Sequence, residues 1–351
     1  MALNHDRAKE LSQKVAADAA GAFAVGLAYI GRQTGLFDVL SKSDGLTSAE
    51  LASACGLNER YVREWLRGMV AAEYIDFQVE GSRYYLNETQ KSVITDQESP
   101  FFTGGVFQFV LPSLMYAPRL MECFHSGGGI SFSELGPEIA AAIDLMHRPW
   151  FDHLLTNEWL PAVAGLSDKL AAGIKVLDVG CGLGRSSIAV ARAYPNCNVT
   201  GIDPHSESIE RGIESASQQG VKNLRLEAAA LEMLPHASEF DLVLAIDSIH
   251  DMPDPVAALS AVKALLKPGG QVFWSEPAGS ENPLENRNLP GKLRANLSPF
   301  HCLTVSLACR GAGLGAIMGE SKARELASAA GFKSFNKLEI VHPMQVFYLL
   351  Q

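Results

Sequence analysis

A glycine-rich segment is the first place where residue types and spacing suggest chemistry. Residues 176–187 read VLDVGCGLGRSS, in which Asp178 precedes Gly180, Gly182 and Gly184. Glycine tolerates positive φ and lets the backbone approach a ligand closely, so this segment suits a binding loop better than an ordinary turn. An acid beside the loop repels phosphate and attracts an ammonium group. The segment therefore predicts a binding site for a ligand that carries a cationic group.

A second acid indicates a nucleoside ligand. The segment GID ends at Asp203, 25 residues after Asp178. A carboxylate roughly 20 residues beyond a glycine loop binds ribose hydroxyls in dinucleotide-binding units. The alternative is that Asp203 only caps the next helix. An adenosine ligand with an ammonium group and no phosphates is S-adenosylmethionine, and the spacing GxGxG in place of GxGxxG also counts against NAD.

Three further ionisable residues are candidates for proton transfer. His250 and Asp251 follow the apolar segment FDLVLAID, and Glu276 ends the segment VFWSE. A histidine titrates near neutral pH and can remove a proton from a hydroxyl or a thiol. Two alternatives stay open. Asp251 could simply cap a helix, or alignment alone could suffice for a nucleophile that ionises easily.

The elements that must position these residues begin at residue 174, where apolar segments alternate with helical ones. This alternation is typical of an α/β fold with a Rossmann-like, doubly wound sheet. Ligands bind at the carboxyl ends of the strands in such sheets, which is where the residues above fall. The predicted strands are 174–180, 198–203, 224–229, 240–247 and 270–277.

The beginning of the chain predicts an α-helical domain with the outline of a winged helix. Its predicted elements are a helix over 5–40, a helix opened by a capping box of Thr47 and Glu50, a helix over 58–75, and a hairpin over 77–87. We expect three parts: a winged-helix domain over 1–95 for dimerisation or substrate cover, a helical linker and lid region over 96–165, and the α/β domain over 166–351.

Composition and charge narrow the classes of function. The chain has 47% hydrophobic and 19% charged residues and a net charge of −10, and residues 1–95 hold 10 basic against 12 acidic side chains. Nucleic-acid binding relies on clustered basic residues, so we expect no nucleic-acid partner. The six scattered cysteines predict reduced thiols and no metal.

The chain is expected to be cytoplasmic, without a membrane partner. It lacks the pattern of a secretion signal at its start. The apolar stretch 21–31 is shorter than the roughly 20 residues that span a membrane. We therefore expect that stretch to form a buried core helix.

Beyond these single features, the sequence resembles the class I S-adenosylmethionine-dependent methyltransferases, and more narrowly the bacterial-type subfamily with an N-terminal winged helix. The phrases that carry the resemblance are VLDVGCGLGRSS, GIDPH, FDLVLAIDSIHDMPDP and LLKPGGQVFWSEP, with RYVREWLRGMVAAEYI, SEPAGSENPLENRN and GLGAIMGESKARELASAAGF. The resemblance implies S-adenosylmethionine as cofactor, S-adenosylhomocysteine as product, and no metal.

It also implies the cofactor contacts. The glycines would admit the methionine moiety, Asp178 would lie near its ammonium group, Asp203 would bind the ribose, and Asp247 and Ser248 would lie under the sulfonium. Many relatives have an acid after the third strand for adenine, where this chain has Ala229, Ala230 and Leu231. Adenine would then be recognised by backbone groups and apolar packing, or by Glu232 from an adjacent turn. The implied cofactor residues are Asp178, Gly180, Cys181, Gly182, Gly184, Asp203, Pro204, Ala229, Ala230, Leu231, Asp247 and Ser248.

The predicted function is methyl transfer to a small, apolar or aromatic metabolite through an oxygen, sulfur or carbon nucleophile, with a homodimer as the expected assembly. The chain has DSIH where amino-group and base methylation uses an NPPY-like motif. The alternative is a winged-helix regulator that senses S-adenosylmethionine without catalysis. The substrate contacts that we expect are Phe101, Phe102, Phe107, Trp150 and His301; the catalytic candidates are His250, Asp251 and Glu276.

Overall fold

The protein is described by a computed structural model that covers residues 3–235 and 237–351. The chain divides into two compact units, the first ending at Pro112 and the second running over Ser113–Gln351. The helices are α1 (His5–Gln33), α2 (Leu36–Ser41), α3 (Ser48–Cys55), α4 (Glu59–Ala71), α5 (Glu88–Ile94), α6 (Gly105–Met115), α7 (Ala117–Ser126), α8 (Phe132–Pro149), α9 (Leu166–Ala172), α10 (Arg185–Ala193), α11 (Ser206–Gln218), α12 (Pro255–Leu265), α13 (Leu289–Leu297), α14 (Cys302–Ala308) and α15 (Gly319–Ala329). The strands are β1 (Asp76–Gln78), β2 (Arg83–Tyr85), β3 (Lys175–Val179), β4 (Asn198–Asp203), β5 (Leu224–Ala228), β6 (Phe240–Ile246), β7 (Leu266–Pro277), β8 (Phe335–Lys337) and β9 (Gln345–Leu350).

The first unit has the predicted winged-helix order of helices and hairpin. Thr47 and Glu50 form both hydrogen bonds of the capping box at the start of α3. Helix α4 buries Trp65, Leu66 and Met69 in the core of this unit. Strands β1 and β2 then pair antiparallel, so the local signals in this region led to the correct elements.

Helix α1 differs from its prediction in extent and in environment. It ends at Gln33 instead of continuing to residue 40, because Gly35 adopts a φ of +74° and begins α2; a left-handed residue cannot continue a right-handed helix. The predicted apolar face is largely exposed, with 62% of Val15 and 78% of Phe23 accessible to solvent. The expectation of a buried core helix was therefore wrong for this part of α1.

Helix α1 is also longer than the apolar stretch 21–31, from which we expected no membrane span. Helix α1 has 29 residues, and an 18-residue window of it reaches a mean hydropathy of 1.2, which meets the length and composition of a spanning helix. Toward its carboxyl end, the helix is part of the first unit's core. There the Trp65 indole donates a hydrogen bond to the carbonyl of Leu27 at 2.7 Å, and Ala28 is fully buried.

The second unit is built on a sheet of seven strands within the described residues. Its order is β5-β4-β3-β6-β7-β9-β8, with β9 antiparallel to both β7 and β8 and the other neighbours parallel. The chain leaves β3 toward β4 and β5, and later returns to place β6 on the other side of β3. This reversal opens a crevice beyond the carboxyl ends of β3 and β6, where ligands bind in doubly wound sheets.

Apolar residues cover both faces of this sheet. Alternate residues of β3 point to opposite faces, so Leu177 and Val179 join one core cluster and Val176 joins the other. Strands buried on both faces read as nearly continuous apolar runs, which explains why the central strands β3 and β6 were predicted. The antiparallel strands β8 and β9 were not predicted, although QVFYLL in β9 is such a run.

Candidate active site

The glycine loop lies between β3 and α10, as expected. Gly180, Gly182 and Gly184 have φ values of +71°, +56° and +74°, a region that disfavours residues with a Cβ. At Gly180 the fit is also tight, because an added Cβ would stand 2.6 Å from the Cβ of Ser248. The Ser248 hydroxyl donates to the carbonyl of Val179 at 3.0 Å. The loop is therefore packed against the residues that follow β6.

Asp178 ties the end of β3 to the first turn of α10. It is 1% exposed and accepts hydrogen bonds from the hydroxyls of Ser186 at 2.5 Å and Ser187 at 2.6 Å. Burial raises the pKa of Asp178 to about 6, although the two serine hydrogen bonds oppose that shift. The carboxylate thus lies directly beneath the glycine loop and holds its helical side in place.

Asp203 lies on the opposite side of the same loop. One carboxylate oxygen accepts from the amide of Gly182 at 3.0 Å and the other from the amide of His205 at 2.9 Å. Burial raises the pKa of Asp203, against the effect of these amides. The residue that caps α11 is His205, whose ring accepts from the amide of Ser208, so the capping alternative for Asp203 does not hold. Pro204 lies between Asp203 and His205 in the chain.

The segment predicted to meet adenine follows β5. The amide of Ala229 donates to the carbonyl of Asp203 at 3.1 Å, so this segment lies beside the end of β4. Ala230 precedes a 3₁₀ turn, Leu231–Met233, in which Leu231 is buried in the core. Cys181 is also buried, packed with Ile209 and Leu226. These positions offer apolar surface and backbone groups near Asp203.

Asp247 has a strained backbone and charged neighbours. It is a residue other than glycine with a φ of +55°, a conformation that is maintained mainly at functional sites. One carboxylate oxygen lies 3.2 Å from Nε2 of His147. Burial opposes ionisation of Asp247, but the charge of Arg294 and the hydrogen bond from His147 outweigh it, so the pKa of Asp247 lies well below its usual range.

His250 and Glu276 form a buried pair. Nδ1 of His250 lies 2.5 Å from Oε2 of Glu276, and the indole of Trp274 donates to the other Glu276 oxygen at 2.6 Å. Burial disfavours the imidazolium, but the charges of Asp251 and Glu276 outweigh it and raise the pKa of His250 well above its usual range. Glu276 therefore fixes the orientation of the imidazole, with Nε2 on the side away from Glu276.

Asp251 lies beside that second nitrogen. Its Oδ1 is 3.1 Å from Nε2 of His250, in a 3₁₀ turn over Ile249–Asp251. The capping alternative for Asp251 is wrong, because Asp254 caps α12 by accepting from the amide of Ala257. The predicted catalytic residues His250, Asp251 and Glu276 are thus brought together in the fold.

The predicted substrate residues fall in two places. Trp150 stacks on His147 with ring centroids 4.5 Å apart, and His301 meets the ring of Phe132 at 6.0 Å. Phe132 also meets the ring of His205 at 5.1 Å. Trp150 therefore lies against His147, the partner of Asp247. His301 is linked through Phe132 to His205, which follows Asp203 by two residues.

Three of the five predicted substrate residues belong to the first unit. Phe107 packs in its core against Tyr74, Arg32 lies over the ring of Phe102, and Phe101 is 71% exposed. Phe102 and Phe107 thus have packing roles in their own unit.

Sequence reasoning missed several residues that complete the site. They are His147, Arg294, Trp274 and Cys302, with Ser186 and Ser187 as partners of Asp178. The serines were within the glycine-loop motif, and the small polar pair after Gly184 was the signal that pointed to them. His147, Arg294 and Cys302 lie in helical segments outside the quoted motifs, and no local pattern distinguishes them.

Comparison with known proteins agrees with this geometry. Residues 170–338 match a family model described as a methyltransferase domain, and residues 21–96 match an Rv2258c-like winged HTH domain. A ubiquinone biosynthesis O-methyltransferase from Aromatoleum aromaticum is 35% identical over 149 residues, covering 39% of this chain and 61% of that protein. The 27-O-demethylrifamycin SV methyltransferase of Amycolatopsis mediterranei is 31% identical over 181 residues, covering 46% of this chain and 66% of that protein.

The matched segment spans about three fifths of the ubiquinone relative's length. Among solved structures, human N-acetylserotonin methyltransferase in complex with S-adenosylmethionine superposes with a TM-score of 0.75 at 17% identity, over 100% of this chain and 99% of that one. Sheet order, glycine loop and superposition together define a class I methyltransferase fold. The chain thus combines a segment that matches a methyltransferase domain, residues 170–338, with a segment that matches an Rv2258c-like winged HTH domain, residues 21–96.

Proposed function

We propose that the protein transfers a methyl group from S-adenosylmethionine to a small, apolar or aromatic metabolite. The observation that carries the proposal is the convergence of two motifs on one edge of the sheet. Gly180 of the binding loop packs against Ser248, and His250, which pairs with Glu276, follows Ser248 by only two residues. A binding loop and a candidate proton acceptor therefore lie at the same crevice.

The residues at this crevice fit the chemical groups of S-adenosylmethionine. Asp203 has two oxygens at the loop, each holding one backbone amide, and a carboxylate can accept further hydrogen bonds from ribose hydroxyls. Asp178 and Asp247 supply negative charge for an ammonium and a sulfonium. Ala229, Ala230 and Leu231 offer an apolar surface for adenine, with backbone groups in place of the acid found in many relatives. The proposed cofactor residues are thus those predicted from the sequence.

In this proposal the protein chiefly aligns the acceptor and removes its proton. A bound S-adenosylmethionine supplies the activated methyl group. In its unprotonated form, His250 accepts the proton of the nucleophile at Nε2, and Glu276 stabilises the imidazolium that forms because it is hydrogen-bonded to Nδ1. Because the pKa of His250 lies above its usual range, methyl transfer should become faster as pH rises and the imidazole loses its proton. Asp251 lies beside Nε2 and orients the acceptor's hydroxyl or thiol. Holding the acceptor in line with the methyl group supplies the rest of the acceleration.

An oxygen nucleophile is the acceptor type that the relatives favour. Two named relatives, from Aromatoleum aromaticum and Amycolatopsis mediterranei, are O-methyltransferases or act on an O-demethyl compound. The aromatic surfaces of Trp150 and His301 suit a flat or apolar acceptor. Phe101, Phe102 and Phe107 remain predicted substrate contacts.

A methyl-transfer screen tests this function. Purified protein is incubated with isotope-labelled S-adenosylmethionine and fractions of a small-molecule extract, with Asp203→Ala as a parallel sample. Label in a low-mass product that appears with the wild type and not with the variant supports the proposal and identifies the acceptor. Cofactor binding without label transfer to any fraction contradicts it and favours a sensor.

The alternative, a DNA-binding regulator, is disfavoured by the charges on α4. Arg60 and Arg63 each form an ion pair with a glutamate of the same helix, Glu64 and Glu59 respectively. Arg67 lies 3.9 Å from Glu64. Paired arginines do not present the basic stripe that phosphate binding requires. If the full chain shifted the mobility of duplex DNA in a manner that depends on S-adenosylmethionine, the result would support the regulator in place of the enzyme.

A cytoplasmic homodimer is the assembly that we propose. Leu11, Val15 and Phe23 repeat along α1 and are 55%, 62% and 78% exposed, which forms an apolar stripe that a second copy can cover. Sedimentation of the wild type and of Val15→Asp/Phe23→Asp checks this assembly. A wild-type monomer at micromolar concentration contradicts it.

A further inference from the structure

A cluster of possible metal ligands lies on the Nε2 side of His250. One ligand atom each of His250, Asp251 and Cys302 lies within 4.8 Å of the others. His250 is 1% and Cys302 is 3% exposed. Nε2 of His250 and Oδ1 of Asp251 are buried and lie 3.1 Å apart, and over residues 3–235 and 237–351 neither atom makes a well-aligned hydrogen bond. Buried polar atoms without partners are costly, so these atoms point to a ligand that they bind.

We propose that His250, Asp251 and Cys302 form a binding site for a divalent cation of the zinc class. An imidazole nitrogen, a carboxylate oxygen and a thiolate sulfur are the ligand types that zinc prefers. Three such ligands leave the fourth tetrahedral position to water. On binding, the proton of the Cys302 thiol and any proton on Nε2 are released to solvent as the metal–sulfur and metal–nitrogen bonds form.

The support behind His250 is the kind that metal-binding histidines use. Its Nδ1 lies 2.5 Å from Glu276, which Trp274 holds in turn. A carboxylate behind a histidine fixes the tautomer and makes the other nitrogen a better ligand. The hydrogen bond from Glu276 that orients His250 as a base would therefore also orient it as a metal ligand.

Charge and access favour a cation at this place. Asp247, Asp251 and Glu276 all interact electrostatically with His250, and the guanidinium of Arg294 compensates only part of their charge. Buried carboxylates require cations or protons nearby. Asp251 has 23% of its side chain exposed, so it provides the approach from solvent.

Metal binding would have a functional consequence that rests on the proposed function. The cation would occupy Nε2, the atom proposed to accept the acceptor's proton. We therefore expect Zn²⁺ to inhibit methyl transfer and the acceptor to relieve the inhibition. The cysteine and histidine at this site are 52 residues apart, a spacing that no zinc motif in the sequence would reveal.

The test measures metal binding directly, without cofactor or acceptor, so that its failure is independent of catalysis. The full chain, freed of metal and kept reduced, is titrated with Co²⁺ and followed by sulfur-to-cobalt charge-transfer absorption. We expect one saturable site from which Zn²⁺ displaces Co²⁺. The absorption band should vanish in Cys302→Ser and persist in Cys309→Ser, a matched change at an exposed cysteine.

Two further variants keep the test decisive. If Cys302→Ser fails to give the wild-type circular dichroism spectrum, His250→Gln and Asp251→Asn are titrated in its place and should bind Co²⁺ more weakly. Glu276→Gln, which does not touch the metal, should lower the affinity about 10- to 100-fold. The proposal is overturned if the wild type has no saturable site, or if the charge-transfer band survives in a folded Cys302→Ser.

Discussion

Glu276 and His250 are 26 residues apart in the chain and form a buried contact of 2.5 Å between Oε2 and Nδ1. Sheet register brings them together, because β6 and β7 are parallel neighbours with Ile246 opposite Ser275. Glu276 follows Ser275 directly, and His250 lies in the turn after β6. The pair is therefore a product of strand pairing, and its role in catalysis can be separated from its role in folding.

His250→Gln should lower kcat for a hydroxyl acceptor about 10²- to 10⁴-fold, the range for loss of a positioned base. The dissociation constant for S-adenosylmethionine should stay unchanged, because the glycine loop is intact. Steady-state methyl transfer and calorimetric cofactor titration measure the two quantities. His125→Gln, at an exposed histidine, is the control. Unchanged kcat in His250→Gln would assign catalysis to alignment alone.

Glu276→Gln should lower kcat about tenfold or more, since a charge that stabilises the imidazolium by one pKa unit contributes about 1.4 kcal/mol. The amide keeps the size of the side chain and can still hydrogen-bond to Nδ1. The KM for the acceptor should change less than kcat, because the pair acts on the proton. Glu239→Gln, at a surface ion pair with Lys175 before β6, should leave both parameters unchanged. Equal losses in the two variants would argue against a specific role.

Asp203→Ala should weaken S-adenosylmethionine binding about 10- to 100-fold, because hydrogen bonds to a charged group contribute about 1.5–3 kcal/mol. The variant also loses the contact to the amide of Gly182, which loosens the loop. Isothermal titration calorimetry measures the effect. Asp241→Ala, which removes a surface pair with Lys267, is the matched control. If Asp203→Ala bound S-adenosylmethionine with wild-type affinity, Asp203 would not be the residue that binds the ribose.

Asp178 should make stability depend on pH with a specific sign. Burial raises its pKa from 3.8 to about 6 in the folded protein, so the folded state binds this proton more tightly than the unfolded state. The free energy of unfolding therefore falls as pH rises from about 4 to about 6, by about 3 kcal/mol at most. Asp178→Asn should lack this fall and gain relative stability over that interval, while binding the cofactor more weakly.

Urea unfolding of wild type and Asp178→Asn at a series of pH values checks this sign. Asp241→Asn serves as a control, because the contribution of Asp241 to the free energy of unfolding should change with pH in the opposite direction. Burial opposes ionisation of Asp241, but the hydrogen bonds and charges of Lys267 and Lys175 together outweigh it and lower the pKa, so Asp241 contributes stability that is lost as pH falls. A difference between wild type and Asp178→Asn that is independent of pH would contradict the assignment.

Gly180→Ala should destabilise the protein more than Gly182→Ala. Both positions have positive φ, which costs about 1–3 kcal/mol in a residue with a Cβ. At Gly180 the new Cβ also meets that of Ser248 at 2.6 Å, whereas at Gly182 nothing lies within 4 Å. Thermal unfolding compares the two variants. Adding Ser248→Gly should recover the steric part of the Gly180→Ala loss, and strictly additive effects would contradict the contact.

Much of the fold was determined locally and could be predicted from the sequence. The capping box of Thr47 and Glu50 and the β3–loop–α10 unit need only neighbouring residues to form. The central strands β3 and β6 are buried on both faces, so each is a nearly continuous apolar run. The positions of Asp178, Asp203, Asp247 and His250 at one edge of the sheet followed from the same order of elements.

Other features required the folded chain. The break of α1 at Gly35 could not be predicted, because glycine is tolerated inside helices and the choice of positive φ depends on the packing of α2. Strand β9 pairs with β7 and strand β8 pairs with β9, and β8 is too short to have a pattern of its own.

The composition of the site was decided in the same way. His147, Arg294 and Cys302 come from α8, α13 and α14, and they reach Asp247 and His250 only because those helices pack beside the crevice. Sequence spacing determines contacts within one element and between strands of known order. Contacts between side chains of distant helices depend on how the helices pack, and that is why the glycine loop could be predicted while the surroundings of His250 could not.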